Sequence, residues 1–200
     1  IEKHIALDVV LRIGKILESY PDFNVKYTRS TDVFIPLRDR AKIANDFEAD
    51  LFVSVHCNSS VSPKPYGAMT LVMGLSRAGM NFEIAKAENA VISLEDNFKE
   101  KYEGFDPNSP ETMIGMTLMQ EEYLDNSISL ASKVEDAFQL LGKKIRGGGV
   151  KQAPFMVLHK AYMPRVLIEM GARSLTEPTE EREVISFIDS PSTSTRRRGP

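Results

Sequence analysis

Two short apolar runs, each closed by an ionisable residue, constrain this chain more than any other feature. Leu51-Phe52-Val53-Ser54-Val55 ends on His56, and Val166-Leu167-Ile168 ends on Glu169. Runs this short and this apolar suit strands buried in a sheet better than helix faces. A carboxylate closing a buried strand is costly unless it is paired, hydrogen-bonded or near a metal. Ligands of open α/β sheets bind beyond the carboxyl ends of the strands, so His56 and Glu169 point together to one shared site. Each also has a plain structural reading, with Glu169 paired to a lysine or arginine and His56 a satisfied core histidine.

The rest of the chain supplies the helices such a sheet needs. Ile5, Val9, Ile13, Ile16 and Leu17 form a helical stripe that Tyr20-Pro21-Asp22 breaks. Residues 23–28 alternate as a short strand. Pro36 precedes a second helix carrying Leu37, Ala41, Ile43 and Ala44, which should end near Phe47. Residues 66–73 read as a strand. From Ala78 to about Gly142 no strand pattern occurs: residues 83–101 read as one or two helices, 102–110 as a loop and 111–141 as a long helix. Gly147-Gly148-Gly149 is a joint, residues 155–158 and 165–169 read as strands, and 178–188 as the last helix. The expected architecture is a single α/β domain over residues 1–188. Its mixed, mostly parallel sheet is flanked by helices, with a helical insertion at 78–142 and a disordered tail at 189–200.

Composition narrows the function classes. A net charge of -3, with one basic run (Arg196-Arg197-Arg198) in the polar tail, argues against nucleic acid as a partner. No stretch is apolar and long enough to span a bilayer. The single cysteine, Cys57, cannot form an intrachain disulfide. Paired with His56 it would make a poor nucleophile, because strand neighbours point to opposite faces. The glycine triplet precedes a strand rather than joining strand to helix, so it is no phosphate loop. The chain reads as a monomer.

Histidine and carboxylate are what a catalytic zinc site needs: three protein ligands, an open position for water, and a nearby carboxylate to take the water's proton. No HExxH-type motif is present. An ordered set of segments narrows the choice. Glu2-Lys3 opens an amphipathic helix, Thr28-Arg29 is followed by Asp32, and Leu37-Arg38-Asp39-Arg40 leads to Ala44-Asn45. Ala49-Asp50-Leu51-Phe52-Val53-Ser54-Val55-His56-Cys57-Asn58 follows, then Met163-Pro164 with Val166-Leu167-Ile168-Glu169-Met170-Gly171. In this order the segments resemble the zinc-dependent N-acetylmuramoyl-L-alanine amidases, bacterial cell-wall hydrolases.

The resemblance implies hydrolysis of the amide between N-acetylmuramic acid and the L-alanine of the peptidoglycan stem peptide. It implies Zn2+ as cofactor, Glu2 and His56 as ligands and Glu169 as the catalytic glutamate. The family's first ligand, a histidine in a glycine-rich strand-loop, would lie upstream of Ile1; His4 reads as a surface helix residue. The insertion is similar to that of members acting in daughter-cell separation, where a helix covers the site until an activator protein displaces it. Ala87-Glu88-Asn89 resembles the start of that helix, making Glu88 the expected inhibitory fourth ligand, with Glu95 as second choice. Such a protein would be exported to the periplasm or cell envelope. Two competing readings stay open: a zinc carboxypeptidase-like hydrolase, and a metal-free peptidoglycan-binding module of the same fold.

Overall fold

The computed structural model describes residues 2–57, 59–60, 67–74, 80–102, 105–106, 109, 111, 122–171 and 173–174. The chain opens with α1 (Glu2–Leu17) and α2 (Leu37–Asp46), followed by β1 (Phe52–His56), β2 (Ser59–Ser60) and β3 (Met69–Met73). Next come α3 (Met80–Asn89), a 3-10 turn (Ala90–Leu94), α4 (Phe98–Lys101) and α5 (Leu124–Leu140). Strands β4 (Lys151–Ala153), β5 (Arg165–Glu169) and β6 (Arg173–Ser174) complete it. The expected helix at 178–188 and the tail lie outside the described residues, as does most of 111–121.

The main sheet has the order β1-β5-β3-β4. β1 pairs with β5 and β3 with β4 in parallel, while β3 and β5 run antiparallel. This is the expected mixed sheet between helices. The alternation of side chains divides its two faces. Phe52, Leu167, Met69, Leu71 and Met73 join Leu37, Ala41 and Ala44 of α2 and the 153–163 segment in the larger core. Those α2 positions are spaced i, i+4, i+7, one stripe of a helix. Val72, Val166 and Ile168 face the other way, against Ala131, Val134 and Phe138 of α5. That face is fastened by a buried side chain, Glu135 of α5, whose Oε1 accepts the Thr70 hydroxyl at 2.7 Å.

Three expectations fail for identifiable reasons. Residues 23–27 form no strand ladder, and alternation without a partner strand does not make a strand. Tyr27 packs on α1 instead, so close to Gly14 that any side chain there would clash with its ring. Residues 155–158 form no strand, and 156–160 are turn. The strand comes earlier, at β4, and ends where Pro154 lacks an N–H; the Leu158 and His159 N–H groups then turn back to the Phe155 carbonyl. Lastly, β1 is buried on one face only. A cavity of about 1160 Å³ between α1, residues 22–29 and β1 leaves Ile13 38% and Val53 45% exposed.

Asn45 joins α2 to the loop that feeds β5. Its Nδ2 donates to the Lys160 carbonyl at 2.7 Å, and its Oδ1 accepts from the Tyr162 N–H at 2.9 Å. Replacing it with alanine should lower stability by about 1 kcal/mol, the scale of one partly buried hydrogen bond and one exposed one. A urea denaturation midpoint identical to that of the parent would refute this.

Candidate metal centre

The carboxyl ends of β1 and β5 meet in register. His56 is the Cα partner of Glu169, and the Met170 N–H donates to the His56 carbonyl at 3.0 Å. Parallel partners in register project their side chains to the same face, so imidazole and carboxylate share a site. Glu169 is 1% exposed.

Two further carboxylates converge on the imidazole from helices. His56 Nδ1 lies 3.3 Å from Glu2 Oε1 and 3.0 Å from Glu88 Oε2. The ligand atoms of Glu2, His56 and Glu88 all fall within 4.8 Å of one another. One nitrogen and two oxygens at this spacing form a donor set suited to a divalent cation. Burial alone would push the His56 pKa down. The hydrogen bonds to Glu2 and Glu88 and the charges of Glu88 and Glu169 outweigh it and lift the value to about 10. Carboxylates that hold a proton so firmly on this ring would equally favour a cation in its place.

The surroundings fix these groups. Ser54, two residues before His56 on the same strand face, places its hydroxyl 3.0 Å from Nε2. That contact orients the ring with Nδ1 towards the carboxylates. Glu2 stands in the first turn of α1, and its Oε1 accepts the Cys57 N–H at 3.2 Å. The turn is tied down by the Thr28-Arg29 segment: Arg29 donates to the Lys3 carbonyl at 2.6 Å and to the Thr31 carbonyl at 3.2 Å. Asp32 holds Lys3 at 2.7 Å and His4 at 3.2 Å. His4 is thus an exposed helix residue with a partner, away from the cluster.

Of the residues singled out in the sequence, the structure brings Glu2, His56, Glu88 and Glu169 together and leaves Glu95 out. Glu95 is buried against the N-terminus of α2 instead. Ser54, Arg29 and Asn89 were not singled out as site residues. Ser54 was recoverable from the two-residue period of the strand; the other two act through the backbone of distant segments, which no local pattern reveals.

Comparison with known proteins agrees with this architecture. A family model described as N-acetylmuramoyl-L-alanine amidase matches residues 1–186. The amidase AmiA of Escherichia coli K12 is 32% identical over 184 residues, 90% of this chain and 60% of AmiA. The chain therefore spans less than two thirds of that relative's length. Among solved structures, the N-acetylmuramoyl-L-alanine amidase of Clostridium difficile 630 superposes with a TM-score of 0.62 at 24% identity, over 94% of this chain and 76% of that one. The catalytic domain of CwlV from Bacillus (Paenibacillus) polymyxa var. colistinus gives 0.51 at 25% identity, over 94% and 80%.

Arg29 gives a test of the centre that needs no catalysis. Arg29→Ala frees the turn that carries Glu2, and loss of such a support typically weakens metal binding by about 10–100-fold. Calorimetric titration of the full-length protein with a divalent metal measures it; unchanged affinity would show that Glu2 needs no such tether.

Proposed function

The chain belongs to the N-acetylmuramoyl-L-alanine amidase family, and from that premise we propose that it cleaves the amide between N-acetylmuramic acid and L-alanine in peptidoglycan, using zinc. One observation carries the reading: His56 Nδ1 faces Glu2 and Glu88 at 3.3 and 3.0 Å, with Glu169 beside it in register.

In this reading Glu2 and His56 would hold the metal, and Ser54 orients the His56 ring for it through Nε2. Zinc, held there by Glu2 and His56, would supply Lewis acidity for the carbonyl and for water. Glu169 does the proton work. It takes the proton of the attacking water and returns it to the leaving amine of L-alanine.

Glu88 has a different role. It occupies the open side of His56 from the insertion and acts as a removable ligand that blocks the site until an activator protein displaces α3. The substrate lies outside the cytoplasmic membrane, so the enzyme works in the periplasm or cell envelope. None of the described helices is long and apolar enough to cross a membrane.

Incubating the full-length protein, with Glu88→Ala to remove the block, with purified peptidoglycan should free stem peptides that begin with L-alanine. Release of single amino acids from the stem's carboxyl end would identify a carboxypeptidase instead. Glu169→Gln should cut the rate by about 10²–10⁴-fold, the usual scale for general acid–base catalysis, while zinc content stays at the parent level. A variant that keeps its rate would remove Glu169 from the chemistry.

A further inference from the structure

Glu88 is held against His56 by its surroundings. Asn89, the next residue, is buried and makes two hydrogen bonds to the chain beyond β4. Its Nδ2 donates to the Pro154 carbonyl at 2.8 Å, and its Oδ1 accepts from the Met156 N–H at 2.7 Å. These pin the end of α3 to the core. Past the 3-10 turn, Glu95 is 7% exposed. Its Oε1 accepts from the Leu37 N–H at 3.2 Å and from the Tyr102 hydroxyl at 2.8 Å. The Tyr102 oxygen in turn accepts from the Arg38 N–H at 3.4 Å, and the Arg38 guanidinium lies 5.6 Å over its ring.

The opening of α2 explains why the insertion docks there. Pro36 precedes the helix and provides no side-chain cap, so the first N–H groups need acceptors from elsewhere. Glu95 and Tyr102 supply them, and a carboxylate at a helix N-terminus is also favoured by the helix dipole. Arg40, half-buried on the same helix, feels the charges of both Glu88 and Glu95. Glu95 Oε2 has no hydrogen-bond partner among the described residues, and burying it carries a desolvation cost that water would relieve on opening. A contact balanced in this way suits a segment that has to come away.

We propose that Asn89, Glu95 and Tyr102 form a latch that clamps the insertion onto α2 and the chain beyond β4, so that Glu88 meets His56. They are positioning residues, and release of the latch uncovers the site. The proposal rests on the reading of Glu88 as a removable blocking ligand.

The test uses the full-length enzyme without activator, reading peptidoglycan turnover together with amide hydrogen exchange over residues 80–102. Glu88→Ala removes the block directly and should raise basal turnover about tenfold or more, the scale of one charge-assisted contact. Asn89→Ala, Glu95→Gln and the conservative Tyr102→Phe should each raise turnover several-fold, on the order of one lost hydrogen bond, and speed exchange in the insertion. Adding Glu95→Gln to Glu88→Ala should bring no further rise, since the block is already gone. Lys99→Ala, on the exposed side of α4, should change neither reading.

A merely structural role would lower turnover rather than raise it. If Glu88→Ala activates while Asn89→Ala, Glu95→Gln and Tyr102→Phe leave turnover unchanged or reduce it, the latch is overturned and the blocking role of Glu88 stands. If Glu88→Ala itself has no effect, the reading of Glu88 falls and the latch with it.

Discussion

The parallel pairing of Phe52–His56 with Arg165–Glu169 joins segments from opposite ends of the chain, and the site exists only through it. His56 and Glu169 lie far apart in the sequence. The ladder places their Cα atoms side by side, and the common pleat sends both side chains to one face. A shift of one residue in register would turn the imidazole and the carboxylate to opposite faces. The apolar faces of both strands guard against that shift, because it would carry Phe52 and Leu167 out of the larger core and Val166 and Ile168 away from α5.

Around this ladder the helices act as carriers of single functional groups. α1 brings Glu2, α3 brings Glu88, and each is positioned by side chains that grip backbone rather than by packing alone. Arg29 holds the carbonyl of Lys3, and Asn89 holds the chain on both sides of Phe155. Such contacts are directional, so they set the position of a neighbouring carboxylate far more closely than apolar burial does. Loose apolar contact is visible along α1, where Ile13 remains exposed beside the cavity, yet Glu2 at its first turn is well placed.

Much of the fold was legible in the chain. The strands at Phe52–His56 and Arg165–Glu169, the helices at Glu2–Leu17 and Leu37–Asp46, and the strandless stretch between Met73 and Lys151 in the described residues follow from apolar pattern and from proline and glycine placement. Residues 23–28 and 155–158 misled for opposite reasons. The first alternates like a strand but finds no partner. The second is apolar because it is buried at a turn, with Phe155, Met156, Val157 and Leu158 all in the core. Burial and strand formation leave the same local signature, and only pairing separates them.

What the sequence determined by itself was the inventory: which runs must be buried, and which ionisable residues end them at a cost that implies a site. It also carried the ordered segments that place the chain in its family. Tertiary structure decided which carboxylates share that site. Glu88 and Glu95 are two acids in one helical stretch, and only the resemblance of Ala87-Glu88-Asn89 ranks the first ahead. One faces His56 at 3.0 Å, while the other accepts the Leu37 N–H at the start of α2. The difference arises because a carboxylate's role depends on the donors it meets, and those donors come from β1 and α2, which only the folded chain brings near.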